Sequence, residues 1–290
     1  VPIAITIDGE PRSEHEATVS VLDRGFLFGD SVFEVMRTYG RVPFGEREHL
    51  DRLARSCERM GFALPAPIEV FSAEIRDAIA RSSEPECYVR VVVTRGRGPL
   101  HIDPSHARDP VRVVIAAPLP PLPEGLYERG VAIVTVRAHR ATDHTPAAGA
   151  KVSAYVGNLL ALSAARARGG YEALMVGEGG EITEGNSSNV FAIRAGTLRT
   201  PPVSTGILPG ITRAFVIRVA AALGIPVREE ILFASDLERA DEAFLTSSLR
   251  EIVPIVSVDG VTIAGGAPGP LTRRLHAHYR EMVRARCGAD

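Results

Sequence analysis

Ala4 to Ile7 has the short alternation of a strand, and Asp8-Gly9 directly after it reads as a hairpin turn, so an antiparallel sheet is predicted to begin there. From His49 the period changes. Leu50, Leu53, Cys57 and Met60 fall at helical spacing and Gly61 follows, the residue favoured just past a helix C-terminus, which predicts an amphipathic helix over His49 to Met60. Tyr88 to Thr94 and Val111 to Ala117 are valine-rich runs bounded by Gly, Pro and Asp, and read as buried strands of an α+β first domain. Pro118-Leu119-Pro120-Pro121-Leu122-Pro123 lacks the backbone donors that a sheet needs. A linker at 119–123 is therefore expected between a small α+β domain, 1–118, and a larger domain, 124–290.

Beyond the linker the pattern predicts a strand over Val131 to Val136 and a polar stretch from His139 to Ala150. A helix over Val156 to Arg168, closed by Gly169-Gly170, comes next. Strands are expected at Ala173 to Val176 and Val190 to Ile193, joined through a polar string from Thr183 to Asn189. Pro209-Gly210-Ile211-Thr212-Arg213 then opens an apolar helix that runs to Leu223. The fold class is mixed α+β or α/β in two domains.

Composition narrows the function. The 31.0 kDa chain has 45% hydrophobic residues and a net charge of -2, enough for one large or two modest cores and with no basic stripe for nucleic acid. A small-molecule ligand is the better expectation. Cys57, Cys87 and Cys287 are widely spaced and odd in number, which fits neither a disulfide framework nor a zinc site and points to a reducing, cytoplasmic setting. No signal peptide or membrane-spanning run is read. His276 and His278 fall two apart on a predicted C-terminal helix, hence on different faces, and no metal site is expected.

Lys151 is the only lysine among 33 basic residues. Arginine offers no free nucleophilic nitrogen, whereas a lysine amine does, so a single lysine in an arginine-rich chain suggests Schiff-base chemistry. The three asparagines, Asn158, Asn186 and Asn189, all follow within 38 residues of it. Each alone is better read as turn chemistry. Pyridoxal phosphate would ask a protein for an amine, a carboxylate against the pyridine nitrogen, a phenol near the ring oxygen and a phosphate cradle. Lys151 and Glu184 supply the first two, and the Pro209-Gly210-Ile211-Thr212 helix start offers free amides to a phosphate, with Arg52 available for a forked contact. Taken singly, the Pro-Gly pair is a helix start and Arg52 a solvated arginine.

These segments together resemble the fold type IV pyridoxal-phosphate enzymes, the family of branched-chain aminotransferases, D-amino acid aminotransferases and aminodeoxychorismate lyases. The resemblance rests on D-R-G-F-L-F-G-D-S-V-F-E-V (Asp23 to Val35), H-L-D-R-L (His49 to Leu53), the Lys151 segment, G-Y-E-A-L (Gly170 to Leu174), T-E-G-N-S-S-N-V-F (Thr183 to Phe191), L-P-G-I-T-R (Leu208 to Arg213) and E-I-V-P-I (Glu251 to Ile255). It implies a small α+β domain and a larger, β-barrel-like domain with helices. Lys151 is then the Schiff-base lysine and proton shuttle, Tyr155 the partner of the ring oxygen and Glu184 that of the pyridine nitrogen, with Ser187 behind the ring. Arg52, the Ile211 and Thr212 amides and Ser248 form the phosphate site.

Phe33, Arg37, Tyr88, Arg90, Arg97 and Leu249 are expected around the substrate. Tyr88-Val89-Arg90 is similar to the Tyr-x-Arg of branched-chain enzymes, and Phe33 is aromatic without a hydroxyl as in that group. The implied reaction is amino transfer between a branched-chain L-amino acid and a 2-oxo acid such as 2-oxoglutarate, in at least a homodimer, with no nucleic-acid or membrane partner. Alternatives remain. D-amino acid enzymes use an Arg-x-His that Arg97 and His101 approach without matching, the lyase uses the same cofactor site, and a non-catalytic pyridoxal-phosphate-binding protein stands last. Leu249-Arg250 departs from the small residues usual in branched-chain enzymes and leaves room for a more acidic or bulkier substrate.

Overall fold

The computed structural model describes residues 3–138 and 143–288, so the start of the expected polar stretch, at 139–142, lies outside the described residues. Its contacts divide the chain into two compact units: the first holds residues 1–120, 145–154 and 283–290, the second 121–144 and 155–282. The change at Pro120-Pro121 falls inside the proline-rich segment. Residues 145–154, Lys151 among them, group with the first unit although a division by position along the chain places them in the second.

In the first unit β1 (Ala4–Ile7) and β2 (Glu10–Arg12) form the hairpin, turning on Asp8 and Gly9, both at positive φ. Then come α1 (Arg24–Phe28), β3 (Ser31–Tyr39), β4 (Val42–Pro43), α2 (Glu46–Arg59), α3 (Ile68–Arg81), β5 (Cys87–Thr94) and β6 (Arg112–Pro118). They build an antiparallel six-stranded sheet in the order β2-β1-β6-β5-β3-β4. Side chains alternate between its faces. Val32 and Met36 of β3 and Val89, Val91 and Val93 of β5 are buried in one cluster with Leu50, Leu53 and Cys57 of α2 and Phe71 and Ile75 of α3. α2 begins at Glu46, a turn earlier than its apolar stripe predicts, because Glu46 and Glu48 complement the helix dipole in the first turn.

In the second unit the elements are α4 (Leu126–Arg129), β7 (Val131–Arg137), α5 (Val156–Ala167), β8 (Glu172–Val176), β9 (Glu181–Gly185), β10 (Asn189–Arg194), β11 (Thr197–Thr200), α6 (Ile211–Ala222), β12 (Val227–Glu229), β13 (Leu232–Phe233), α7 (Ala234–Glu238), β14 (Glu242–Ser247), β15 (Glu251–Val258), β16 (Val261–Thr262) and α8 (Pro270–Cys287), the end of which lies in the first unit. Nine strands run in the order β12-β11-β10-β14-β15-β7-β8-β9-β13, with β16 beside β15, and the sheet curls into a half-barrel. β7 pairs in parallel with both β8 and β15. Ile133, Leu174, Ile182, Val190, Leu245 and Val253 are buried in one cluster on this sheet. Among the described residues no helix is long and apolar enough to cross a membrane.

Candidate active site

Lys151 is fixed through its backbone. Residues 151–153 add a short antiparallel segment to the edge of β3: Phe33 N donates to Lys151 O (2.9 Å), Val152 bridges Val32, and Ser153 N donates to Ser31 O (2.9 Å). The Lys151 N–H in turn donates to Ser56 Oγ of α2 at 3.1 Å. Cross-strand partners share a face, so this register puts the lysine side chain on the Phe33 side of the sheet. Its Nζ lies 4.6 Å from the Phe33 ring centroid, a cation–π distance.

The same face carries most of the expected substrate residues. In the β3–β5 register Arg37 lies opposite Tyr88, Val35 opposite Arg90 and Phe33 opposite Val92. The Arg90 guanidinium carbon is 4.1 Å from the Phe33 ring centroid, and Arg90 Nη1 donates to Tyr88 Oη at 3.4 Å. Arg37 stacks over Tyr39 at 4.3 Å. One ring, Phe33, thus sits beside the cations of both Lys151 and Arg90. Arg97 is elsewhere: it is exposed and paired with Asp109 at 2.7 Å. The loop beyond it is held by buried Arg24, which donates to the carbonyls of His101, Ile102 and Asp103 and to Asp30.

The opposite face of β3 holds Glu34, fully buried. Its Oε1 accepts from Arg52 Nε (2.6 Å), its Oε2 from Arg52 Nη2 (2.7 Å), and His49 Nδ1 lies 2.7 Å from Oε2. His49, Arg52 and Ser56 occupy one stripe of α2 at spacings of three and four. Burial would raise the Glu34 carboxyl, but the Arg52 charge and the bonds from Arg52 and His49 outweigh it and hold it at about 2. Burial, aided by the Arg52 and Lys151 cations, pulls His49 below its usual value against the opposite pull of Glu34. Residue patterning missed Glu34 and His49 as partners of Arg52. The available signal was a lone acid inside the apolar strand S-V-F-E-V-M. Cys57 is inert, its thiol pushed up to about 12 by burial.

In the second unit Glu184 is the penultimate residue of β9, buried, with its Oε2 accepting from Asn189 Nδ2 (3.2 Å) and from Leu208 N (3.0 Å). Asn189 also donates to Leu208 O at 3.0 Å. Asn186 is buried too. Its Oδ1 accepts from Ala173 N and its carbonyl from Asn158 Nδ2, so all three asparagines shape the frame around Glu184 and Ser187. α6 opens on Gly210, and a Cβ there would sit 1.9 Å from Asn189 Oδ1. Only glycine lets the chain pass so close to Asn189 and start the helix with open amides at Ile211 and Thr212. Ser187 lies in the β9–β10 turn, Ser248 and Leu249 half-buried in the β14–β15 turn, and Tyr155 at the N-cap of α5. A rigid carboxylate beside open amides at a helix N-terminus is a donor set that suits a phosphorylated, nitrogen-containing ring.

Residues 31–258 match the family Amino-transferase class IV. The chain is 34% identical over 286 residues to the branched-chain-amino-acid aminotransferase of Escherichia coli K12, covering 95% of this chain and 91% of that protein. It is likewise 34% identical over 291 residues to a Listeria monocytogenes D-alanine aminotransferase, covering 98% and 97%. A solved structure of the T.th. branched-chain amino acid aminotransferase with pyridoxamine 5'-phosphate superposes with a TM-score of 0.92 at 30% identity, covering 99% of this chain and 95% of that one. The chain belongs to the class IV aminotransferase family.

Proposed function

We propose that this protein is a pyridoxal-phosphate-dependent aminotransferase that moves the amino group between a branched-chain L-amino acid and a 2-oxo acid such as 2-oxoglutarate. The observation that carries this reading is the single sheet face bearing Lys151, Phe33, Tyr88, Arg37 and Arg90. It offers an amine, an apolar aromatic wall and guanidinium groups for carboxylates within a few side chains.

When bound, the cofactor supplies an aldehyde to receive the amino group and a ring that stabilises negative charge at the substrate Cα. Lys151 Nζ moves the proton to and from that Cα, and its backbone bonds to Phe33 and Ser56 keep its position fixed. Glu184 holds a proton at the ring nitrogen, with Asn189 and Leu208 N orienting its carboxylate. By the family resemblance Arg52, Ser248 and the Ile211 and Thr212 amides would bind the phosphate, Tyr155 would bond the ring oxygen, and Ser187 would support the ring. Phe33 lines the apolar side of the substrate site and Arg90 with Tyr88 receives a carboxylate; Arg37 lies on the same sheet face, and Leu249 is assigned to the substrate by the family resemblance. Arg97, which pairs with Asp109 away from that face, is assigned to the substrate by the family resemblance alone. The protein acts as a cytoplasmic homodimer, a reading supported by three buried free cysteines and by exposed apolar side chains at 19–28, 100, 102 and 156–160.

Borohydride treatment of the cofactor-loaded protein, followed by peptide mapping, is expected to leave the reduced cofactor on Lys151 alone, and Lys151→Ala to abolish both label and turnover. A label elsewhere would overturn the assignment. Arg90→Leu is expected to damage the half-reaction with glutamate far more than that with leucine or valine, because only the acidic partner is left with an unpaired buried charge. Stopped-flow measurement of each half-reaction decides it, and equal damage would assign Arg90 to the carboxylate common to all substrates. Turnover of D-alanine with none of L-leucine or L-valine would move the protein to the D-amino acid branch.

A further inference from the structure

Arg250 and Glu172 have no part in the mechanism above, yet they hold together a dense polar cluster of the second unit. Glu172, at the head of β8, is 1% exposed. Its Oε1 accepts from Ser187 N (2.9 Å), Ser187 Oγ (3.2 Å) and Ser188 Oγ (2.7 Å). Its Oε2 accepts from Arg250 Nη1 at 2.6 Å. Arg250 Nη2 donates to Ser187 Oγ (2.8 Å) and Ser187 O (3.4 Å), and its Nε to Ser247 Oγ (3.1 Å). The geometry therefore takes up Arg250's donors inside the protein, which corrects the expectation that this guanidinium admits an acidic substrate.

The cluster joins two turns that carry cofactor-binding assignments. One is 186–188, between β9 and β10, with Glu184 just before it and Asn189 just after. The other is 248–250, between β14 and β15. The first turn is closely packed and the second carries backbone strain. A Cβ at Gly185 would come within 2.2 Å of Ser188 Oγ and 2.7 Å of Glu172 Oε1, so the first turn closes tightly on the carboxylate. At the exit of the second, Glu251 takes φ 59°, a left-handed conformation that is costly for a side chain with a Cβ and persists only where its surroundings over-determine it. Those surroundings are the Arg250 contacts, the bond from Tyr127 Oη to Arg250 O (3.2 Å), and the grip of His276 Nε2 (2.6 Å) and Arg280 Nε (2.7 Å) on the Glu251 carboxylate.

We propose that Glu172 and Arg250 are positioning residues: they clamp the Ser187 turn to the Ser248-Leu249 turn and so fix the hydroxyls and amides that both turns present to the cofactor. This rests on the assignment of those turns under the proposed function. A guanidinium is needed because four acceptors, on Glu172, Ser187 and Ser247, must be met from one planar group, and an ammonium on a flexible stem pairs with Glu172 without spanning the others.

The test compares wild type with Arg250→Lys, Arg250→Met and Glu172→Gln, measuring thermal midpoint, the dissociation constant of pyridoxal phosphate from the holoenzyme, and kcat and KM with leucine and glutamate. Arg250→Lys is expected to keep a thermal midpoint close to wild type while weakening cofactor affinity about tenfold, the scale of one charge-assisted hydrogen bond, and raising KM for both donors alike. Arg250→Met and Glu172→Gln are expected to show the same cofactor and KM effects together with a lower midpoint. Cofactor affinity within about twofold of wild type in all three variants would refute the clamp. So would loss confined to glutamate, which would return Arg250 to substrate binding. A wild-type protein that does not bind pyridoxal phosphate would instead refute the proposed function on which the clamp rests.

Discussion

Arg52 shows how much one side chain depends on its partner. It is 4% exposed and makes two short bonds to a carboxylate that is itself fully buried. Truncation therefore does more than remove the proposed phosphate contact: Arg52→Ala leaves the buried Glu34 carboxylate beside His49 without its guanidinium partner, a change that costs about 3–5 kcal/mol of stability. Loss of cofactor affinity by about 2–3 kcal/mol, the scale of a charged hydrogen-bonded contact, is expected on top of it. The double substitution Arg52→Met with Glu34→Gln separates the two. It is expected to recover most of the stability in denaturant titrations while leaving cofactor affinity as weak as in the single variant. Recovery of affinity along with stability would remove Arg52 from the phosphate site.

β3 and α2 are coupled by the buried trio of Glu34, His49 and Arg52, and that coupling has a pH signature. Glu34 is held at about 2 against an unperturbed 4.5, and His49 lies below an unperturbed 6.5. Both folded values are depressed, so on acidification the unfolded chain binds each proton first and stability is lost. The His49 contribution begins to fade as the pH falls past about 6.5, and that of Glu34 is complete above about 4.5 and lost on the way to about 2. Thermal midpoints followed by circular dichroism are expected to fall in two stages, with Glu34→Gln removing the second. A wild-type midpoint constant across that range would contradict the coupling. Local pattern reveals the elements of this region unevenly. α2 is legible because its apolar residues repeat at helical spacing, and β5 because Val89, Val91, Val92 and Val93 form a run. β3 is not, since an acid and an arginine interrupt its buried residues and only α2, distant along the chain, explains the acid. The 151–153 segment is harder still, as its partners at 31–33 lie far away in sequence and pairing over that range leaves no periodic trace. Lys151 itself was legible from its chemistry, whereas what holds it was not.

At the scale of the whole molecule, the unexplained feature is apolar surface. On α5 the inward positions are Asn158, Ala161 and Ala165, whereas Val156, Leu159 and Leu160 form an outward stripe, each more than 60% exposed. In the first unit Val21, Phe26, Leu100 and Ile102 are exposed to a similar degree, and Arg24 ties the loop that carries Ile102 to the segment that carries Phe26. Side chains of this size at helical spacing, turned to water, support the proposed homodimer. If a second copy of the chain covers the α5 stripe, Leu159→Glu with Leu160→Glu places two carboxylates against apolar surface at every encounter and is expected to shift the protein from dimer to monomer in sedimentation velocity. Activity should then fall on dilution in step with the dimer fraction. Ile231→Glu, an exposed apolar position in the loop between β12 and β13, is expected to leave both unchanged. A Leu159/Leu160 variant that stays dimeric would clear α5 of the role, and a wild-type protein that sediments as a monomer at working concentration would overturn the homodimer reading itself.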